Sequence, residues 1–227
     1  MRNVCYRWKA DTHRHRHSDM PAPHDRIIAS AAKGALHPIG LRRRGQSRLW
    51  FGDHGWWLAV VEFQPSGLQK GSYLNVAAHW LWSRAGHISF DLGCGAEWNS
   101  RVAKFEAYAS DDQFQPAAEQ LAALAAQQVQ TLAHNIPSVV AAADLLMRRE
   151  IDLPPSSQGS WAAYHAGVAA GLADRPDDAE AMLRSITDDR VKDAAKPLIQ
   201  VLPDLGCFNE VVTSLVGSQR KALRISR

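Results

Sequence analysis

Five polar residues on alternating, strand-like stretches carry most of the chemical interest in this chain: Glu62, Asn75, His79, His87 and Asp91. A carboxylate beside an imidazole is the raw material of general acid–base work, because the ring can gain or lose a proton near neutral pH. Two histidines and a carboxylate are also a donor set that can hold a transition metal. If the strands pair in register, the five residues gather on one sheet face. The plainer reading is that alternate residues of a half-solvated sheet are polar because they face water.

The stretch that must position them runs from Ser47 to Leu92 and holds five of the eight tryptophans, Trp50, Trp56, Trp57, Trp80 and Trp82. Its alternation predicts strands over about 48–52, 56–64, 72–82 and 87–92. Asp53-His54-Gly55 makes a tight turn, and Pro65-Ser66-Gly67 opens a loop. In the second strand Trp57, Ala59, Val61 and Phe63 form the core side. Trp56, Leu58, Val60, Glu62 and Gln64 form the other. In the third, Leu74, Val76, Ala78, Trp80 and Trp82 are the apolar set. In the fourth, Ile88, Phe90 and Leu92 point one way. Consecutive strands with short connections give an antiparallel meander.

The flanks read as helices. Pro23 to Leu36 has apolar residues at helical spacing and stops at His37-Pro38. Arg42, Arg43 and Arg44 read as a charged, solvated sheet edge. Residues 102–108 fit either a fifth strand or a poor helix. A helix starting at Gln115 or Pro116 carries an apolar stripe from Ala125 to Leu146, which Pro137 interrupts. Leu153 to Gly159 has linker composition. Beyond it the pattern is helical throughout. The expected fold class is therefore α+β: a four- to five-stranded antiparallel meander packed by helices, followed by an α-helical C-terminal region. The expected division is an extension at 1–19, an α+β domain at 20–152 and a helical region at 153–227. Residues 1–19 lack hydrophobic periodicity and read as disordered, and Met20 is a plausible alternative start. Within them, His13, His15 and His17 form an alternating tract of the kind that binds metals weakly.

Phe90-Asp91-Leu92-Gly93-Cys94-Gly95 resembles the first motif of S-adenosylmethionine-dependent methyltransferases. The resemblance implies cofactor-binding roles for Asp91, Gly93 and Gly95, with Asp111 or Asp112 towards the ribose. It covers about six residues, and Glu97 stands where the family has its third glycine. The family's motif also opens a parallel sheet, whereas here it closes the strand-rich stretch. A broader pattern resembles a bacterial domain of unknown function, family 4304, over about 25–147. It comprises Gly40-Leu41-Arg42, Leu49-Trp50, Val60-Val61-Glu62-Phe63-Gln64, Leu74-Asn75-Val76 and Phe90-Asp91-Leu92-Gly93. That family implies a fold and no activity. The hairpin from Trp161 to Ile186 resembles one tetratricopeptide unit without a second copy, where a solenoid needs about three.

Composition narrows the classes. Lys and Arg number 26 against 23 Asp and Glu, a formal charge of +3, which is not the footprint of a nucleic-acid binder. No apolar run has the length of a membrane span. The three cysteines, Cys5, Cys94 and Cys207, form no CxxC pair and fit a reducing cytoplasm. Cys94 would be reactive only if a helix N-terminus lowered its pKa. The resulting expectation is a cytoplasmic, non-catalytic protein-interaction module that needs no cofactor. Its partner would be another protein, met through the tryptophan-rich sheet or the helical hairpins. The alternative is a methyltransferase-like or hydrolytic site near Asp91.

Overall fold

The computed structural model describes residues 21–225. The histidine tract at 13–17 and Cys5 lie outside them. Six strands form one antiparallel sheet: β1 (Arg42–Arg43), β2 (Leu49–Asp53), β3 (Trp57–Gln64), β4 (Gly71–Trp80), β5 (Leu92–Gly93) and β6 (Arg101–Ala107). The order is β1-β2-β3-β4, and β5 and β6 share the far side of β4. Seven α-helices surround the sheet: α1 (Pro23–Leu36), α2 (Asp111–Asn135), α3 (Val139–Asp152), α4 (Trp161–Leu172), α5 (Pro176–Arg184), α6 (Asp189–Val201) and α7 (Leu205–Leu223). The α+β class and the helical C-terminal region are as the sequence predicts. Residues 101–107 resolve as a strand.

The register puts Trp57 opposite Trp80, Val61 opposite Val76 and Phe63 opposite Leu74. These residues and Trp50 meet α1 and α2 in a large apolar cluster, which continues through α3 to α7 without a break. α4 is the hub of the helical half. Its residues Ala162 to Gly171 are all buried, and small side chains let its neighbours close in. A Cβ on Gly167 would meet Leu183 of α5, and one on Gly171 would meet Phe208 of α7.

The other sheet face departs from expectation. Leu58 and Val60 are buried, with Phe51 and Leu81, under Leu223 and Ile225 at the end of α7. Strand alternation marks which residues share a face but not whether a distant helix will cover it. The tryptophans are core residues. Trp50, Trp57, Trp80 and Trp82 are buried, so they cannot serve as exposed interface anchors.

The fourth strand expected at 87–92 shrinks to Leu92–Gly93. The Asp91 carboxylate takes the Trp80 N–H at 2.8 Å, and a side chain thus replaces a ladder partner where β4 ends. Ile88 and Phe90 pack under α7 while Leu92 joins the main cluster, so the three do not point one way. α2 begins at Asp111, earlier than Gln115. Ser110 caps it by accepting the Gln113 N–H, and the Gln113 side chain accepts the Ala109 N–H. This is close to a capping box, and Pro116 is tolerated inside the helix. Pro137 separates two helices, and Ser138 caps the second.

Candidate functional site

The five candidate residues divide into two groups and an outlier. At one end of the sheet Asn75 stands opposite Glu62, and its Nδ2 donates to Glu62 Oε2 at 3.0 Å and to Gln64 Oε1 at 2.9 Å. Four residues further along β4, His79 meets Asp91, with Nδ1 3.1 Å from Oδ2. His87 joins neither group. It is exposed, with Nδ1 against the Ala85 carbonyl, and only its own carbonyl reaches the His79 group, through Gln219.

Three residues that the strand pattern did not reveal complete the His79–Asp91 group. Gln219 of α7 is held by two backbone partners: its Oε1 accepts the Gly86 N–H and its Nε2 donates to the His87 carbonyl. That orientation directs Nε2 at His79 Nε2, 3.3 Å away. His79 Nε2 is then an acceptor, and its ring hydrogen sits on Nδ1, towards Asp91 and the Ser89 hydroxyl. His165 of α4 accepts the Trp82 indole N–H on Nδ1 at 3.1 Å. An indole can only donate, so the His165 hydrogen is on Nε2, which lies 4.0 Å from Asp91 Oδ1. Arg149 of α3 donates to the Asp91 carbonyl at 2.5 Å. The next residue, Glu150, accepts the Gly159 N–H at the start of the segment leading to α4.

The electrostatics follow from enclosure. Burial pushes His165 down to about 4, against the attraction of Asp91. Burial alone would raise Asp91. The His79 hydrogen bond, the two neighbouring rings and the Trp80 N–H outweigh it and hold the carboxyl well below its ordinary range. The carboxylate–histidine pair therefore has the groups for proton transfer but no open side. His79 is 0% exposed, His165 2% and Gln219 4%. It ties β4, α3, α4 and α7 together around one buried charge.

No protein-family model, curated protein or solved structure matches this chain. Its chemistry must therefore be read from its own geometry.

The glycine motif is closed in the same way. A Cβ on Gly93 would collide with the backbone of Asn99 and Ser100, and one on Gly95 with the Arg101 carbonyl. The glycines are needed because the chain folds back on itself, and the space a cofactor would need is filled by backbone. The loop continues into a single 3-10 turn, Ala96–Trp98, with Glu97 and Trp98 in the left-handed region. Asp111 lies in the first turn of α2 and accepts the Tyr108 hydroxyl at 2.6 Å. Burial pushes the Cys94 thiol up to about 12, the reverse of a reactive thiolate. Among the described residues no group of three or more His, Cys, Asp or Glu is placed to hold a metal ion.

The Glu62–Asn75 end has the opposite character. Asn75 is buried, but Glu62, Gln64, Tyr73, Arg101 and Phe105 around it are half-buried. Arg101 donates to Asn75 Oδ1 at 2.9 Å and to Gln64 Oε1 at 2.8 Å, and lies 3.8 Å over the Tyr73 ring. Phe105 tilts against the same ring at 4.8 Å. The alternation signalled Glu62 and Asn75. It could not signal Arg101, which comes from a strand that sequence left undecided.

Proposed function

We propose that this protein is a non-catalytic interaction module that meets another protein through the open end of its sheet, around Glu62, Tyr73, Arg101 and Phe105. One contrast carries the reading. The groups able to do acid–base chemistry are sealed and committed to holding helices, whereas a rigid set of aromatic and guanidinium side chains is left half-open to solvent. Tyrosine and arginine are the residues on which interfaces most often concentrate their energy, because they bring large contact area with little entropy to lose. No helix among the described residues is long and apolar enough to cross a membrane. A cytoplasmic location belongs to the same proposal and rests on the free Cys94 and Cys207. The resemblance to family 4304 names no activity and adds nothing to the choice.

The test is site-specific photo-crosslinking in a native extract. A photoreactive side chain at Tyr73 or Phe105 should trap one defined partner that the same group at Val140 or Asp193 does not trap. Identical products from all four positions would remove the support for this surface. The enzymatic alternative makes a different prediction, a saturable rise in melting temperature with S-adenosylmethionine or a divalent metal. Such a rise in the intact protein would overturn the non-catalytic reading.

A further inference from the structure

β6 is the outermost strand on its side of the sheet. It pairs with β4 alone. Apart from the Arg101 N–H, which Asn99 Oδ1 accepts, its main chain makes no hydrogen bond beyond that ladder among the described residues. A seven-residue edge is long enough to accept an added strand.

Arg101 stands at the head of this edge with part of its charge unanswered. A guanidinium carries five N–H donors. The Nε–Nη2 side of Arg101 is spent on two neutral amide oxygens, those of Asn75 and Gln64, and the plane is fixed against Tyr73. No carboxylate lies within ion-pair distance of it among the described residues. The Nη1–Nη2 end is left, and that is the pair of donors that grips a carboxylate in parallel hydrogen bonds. Because neutral groups already hold the side chain, a ligand would lose little entropy in ordering it. Lys104, exposed on the same strand, adds a second positive charge, and Glu106 lies towards the far end. The positive charge is therefore concentrated at the Arg101 end of the edge.

We propose that the outer edge of β6 takes up an extended acidic segment of a partner protein. The segment's main chain adds a strand to the sheet, and one of its Asp or Glu carboxylates closes on the free end of Arg101. This rests on the interaction-module reading and names the chemistry of its partner.

The probe is a fluorescent, end-blocked heptapeptide of alternating valine and glutamate, titrated into the full chain. Its comparators are the valine–glutamine peptide and a glutamate peptide N-methylated at alternate backbone positions. The expected result is about tenfold tighter binding of the glutamate peptide than of the glutamine one, with the N-methylated peptide losing binding. Arg101→Gln should abolish the glutamate preference without changing the circular dichroism spectrum. Arg101→Lys, which keeps the charge but not the fork, should retain only part of it, and it preserves the test if Arg101→Gln folds poorly. Equal affinity for the two unmethylated peptides, or a preference that survives Arg101→Gln, overturns the proposal. Sedimentation of the protein alone as a dimer that peptide does not dissociate would assign the edge to a second copy, and also overturns it. Crosslinks from Tyr73 and Phe105 persisting beside a failed peptide titration would leave the interaction surface intact and remove only the acidic strand.

Discussion

The indole N–H of Trp82 donates to Nδ1 of His165 across 83 positions of sequence, and in doing so fixes where the histidine keeps its proton. The ring must stay neutral for the bond to exist, because a protonated Nδ1 would face a donor. Trp82 follows the end of β4 and His165 lies in α4, so the bond also joins the sheet to the helical half.

Stability should consequently fall with acid in a defined window. The folded pKa of His165 is lowered from its ordinary 6.5 to about 4. Between these values the unfolded chain binds a proton that the folded chain does not, so unfolding gains as pH falls from 6.5 towards 4. The full effect is roughly 3 kcal/mol. Asp91, also held below its ordinary range, loses its contribution only at more acid pH, as its carboxylate takes up a proton. Urea unfolding of the wild type and of His165→Gln between pH 4 and pH 7.5 measures this. The Gln variant can still accept the indole N–H through its amide oxygen. It should show a shallower pH dependence across the window, and equal slopes would refute the assignment.

Trp56, Trp80 and Trp82 lie with planes within 5° of parallel and ring centroids 5.2–5.8 Å apart. Indoles this close couple electronically, so the far-ultraviolet circular dichroism spectrum should carry an exciton couplet on top of the helical signal. Trp56 is the one of the three that is only half-buried. Trp56→Phe should remove most of the couplet at a stability cost of no more than about 1–2 kcal/mol. An unchanged spectrum would show that the three rings do not stack in solution.

The parts of this fold that sequence revealed are those with a local period. The register of β3 on β4 follows from Trp57, Ala59, Val61 and Phe63 facing Leu74, Val76, Ala78 and Trp80, and strand alternation encodes it directly. What sequence missed depends on partners far along the chain. Leu58 and Val60 look solvent-facing by alternation, and only the end of α7 buries them. Likewise His79 and Asp91 were legible as a pair, but Gln219 and His165, which decide that the pair is sealed, come from helices 86 and 140 residues beyond His79. Their one local signal is a polar residue inside an apolar helical stripe. Such a residue has to find a buried partner, but its sequence does not say which.

The buried carboxylate predicts an asymmetry between the two groups of candidate residues. Asp91→Ala removes the acceptor for the Trp80 N–H and leaves the His79 N–H without its carboxylate partner in a closed site. The expected loss is about 3–5 kcal/mol in denaturant unfolding. Glu62→Ala removes a half-exposed partner of Asn75, which keeps its bonds to Gln64 and Arg101. That change should cost about 1 kcal/mol or less. Comparable losses for the two variants would mean that Asp91 is open to water, and the catalytic reading of that site would return.

Two glycines separate backbone crowding from cofactor binding. Gly93 lies on extended backbone, but a Cβ there would run into the carbonyl group of Asn99 and the amide of Ser100. Neither is a flexible side chain end that could move aside. Gly93→Ala should therefore destabilise by about 2–4 kcal/mol. Gly34 sits in α1 with open space where its Cβ would go, so Gly34→Ala should stabilise by about 0.5–1 kcal/mol through helix propensity alone. Thermal melts of both variants, each with and without S-adenosylmethionine, distinguish the two origins. If Gly93 is present only to let the chain fold back on itself, its variant melts lower by the same amount whether or not the cofactor is added. A cofactor site would instead stabilise the wild type on addition and fail to stabilise Gly93→Ala. The gap between the two proteins would then widen with cofactor concentration, and the folded-back loop would no longer account for the glycine.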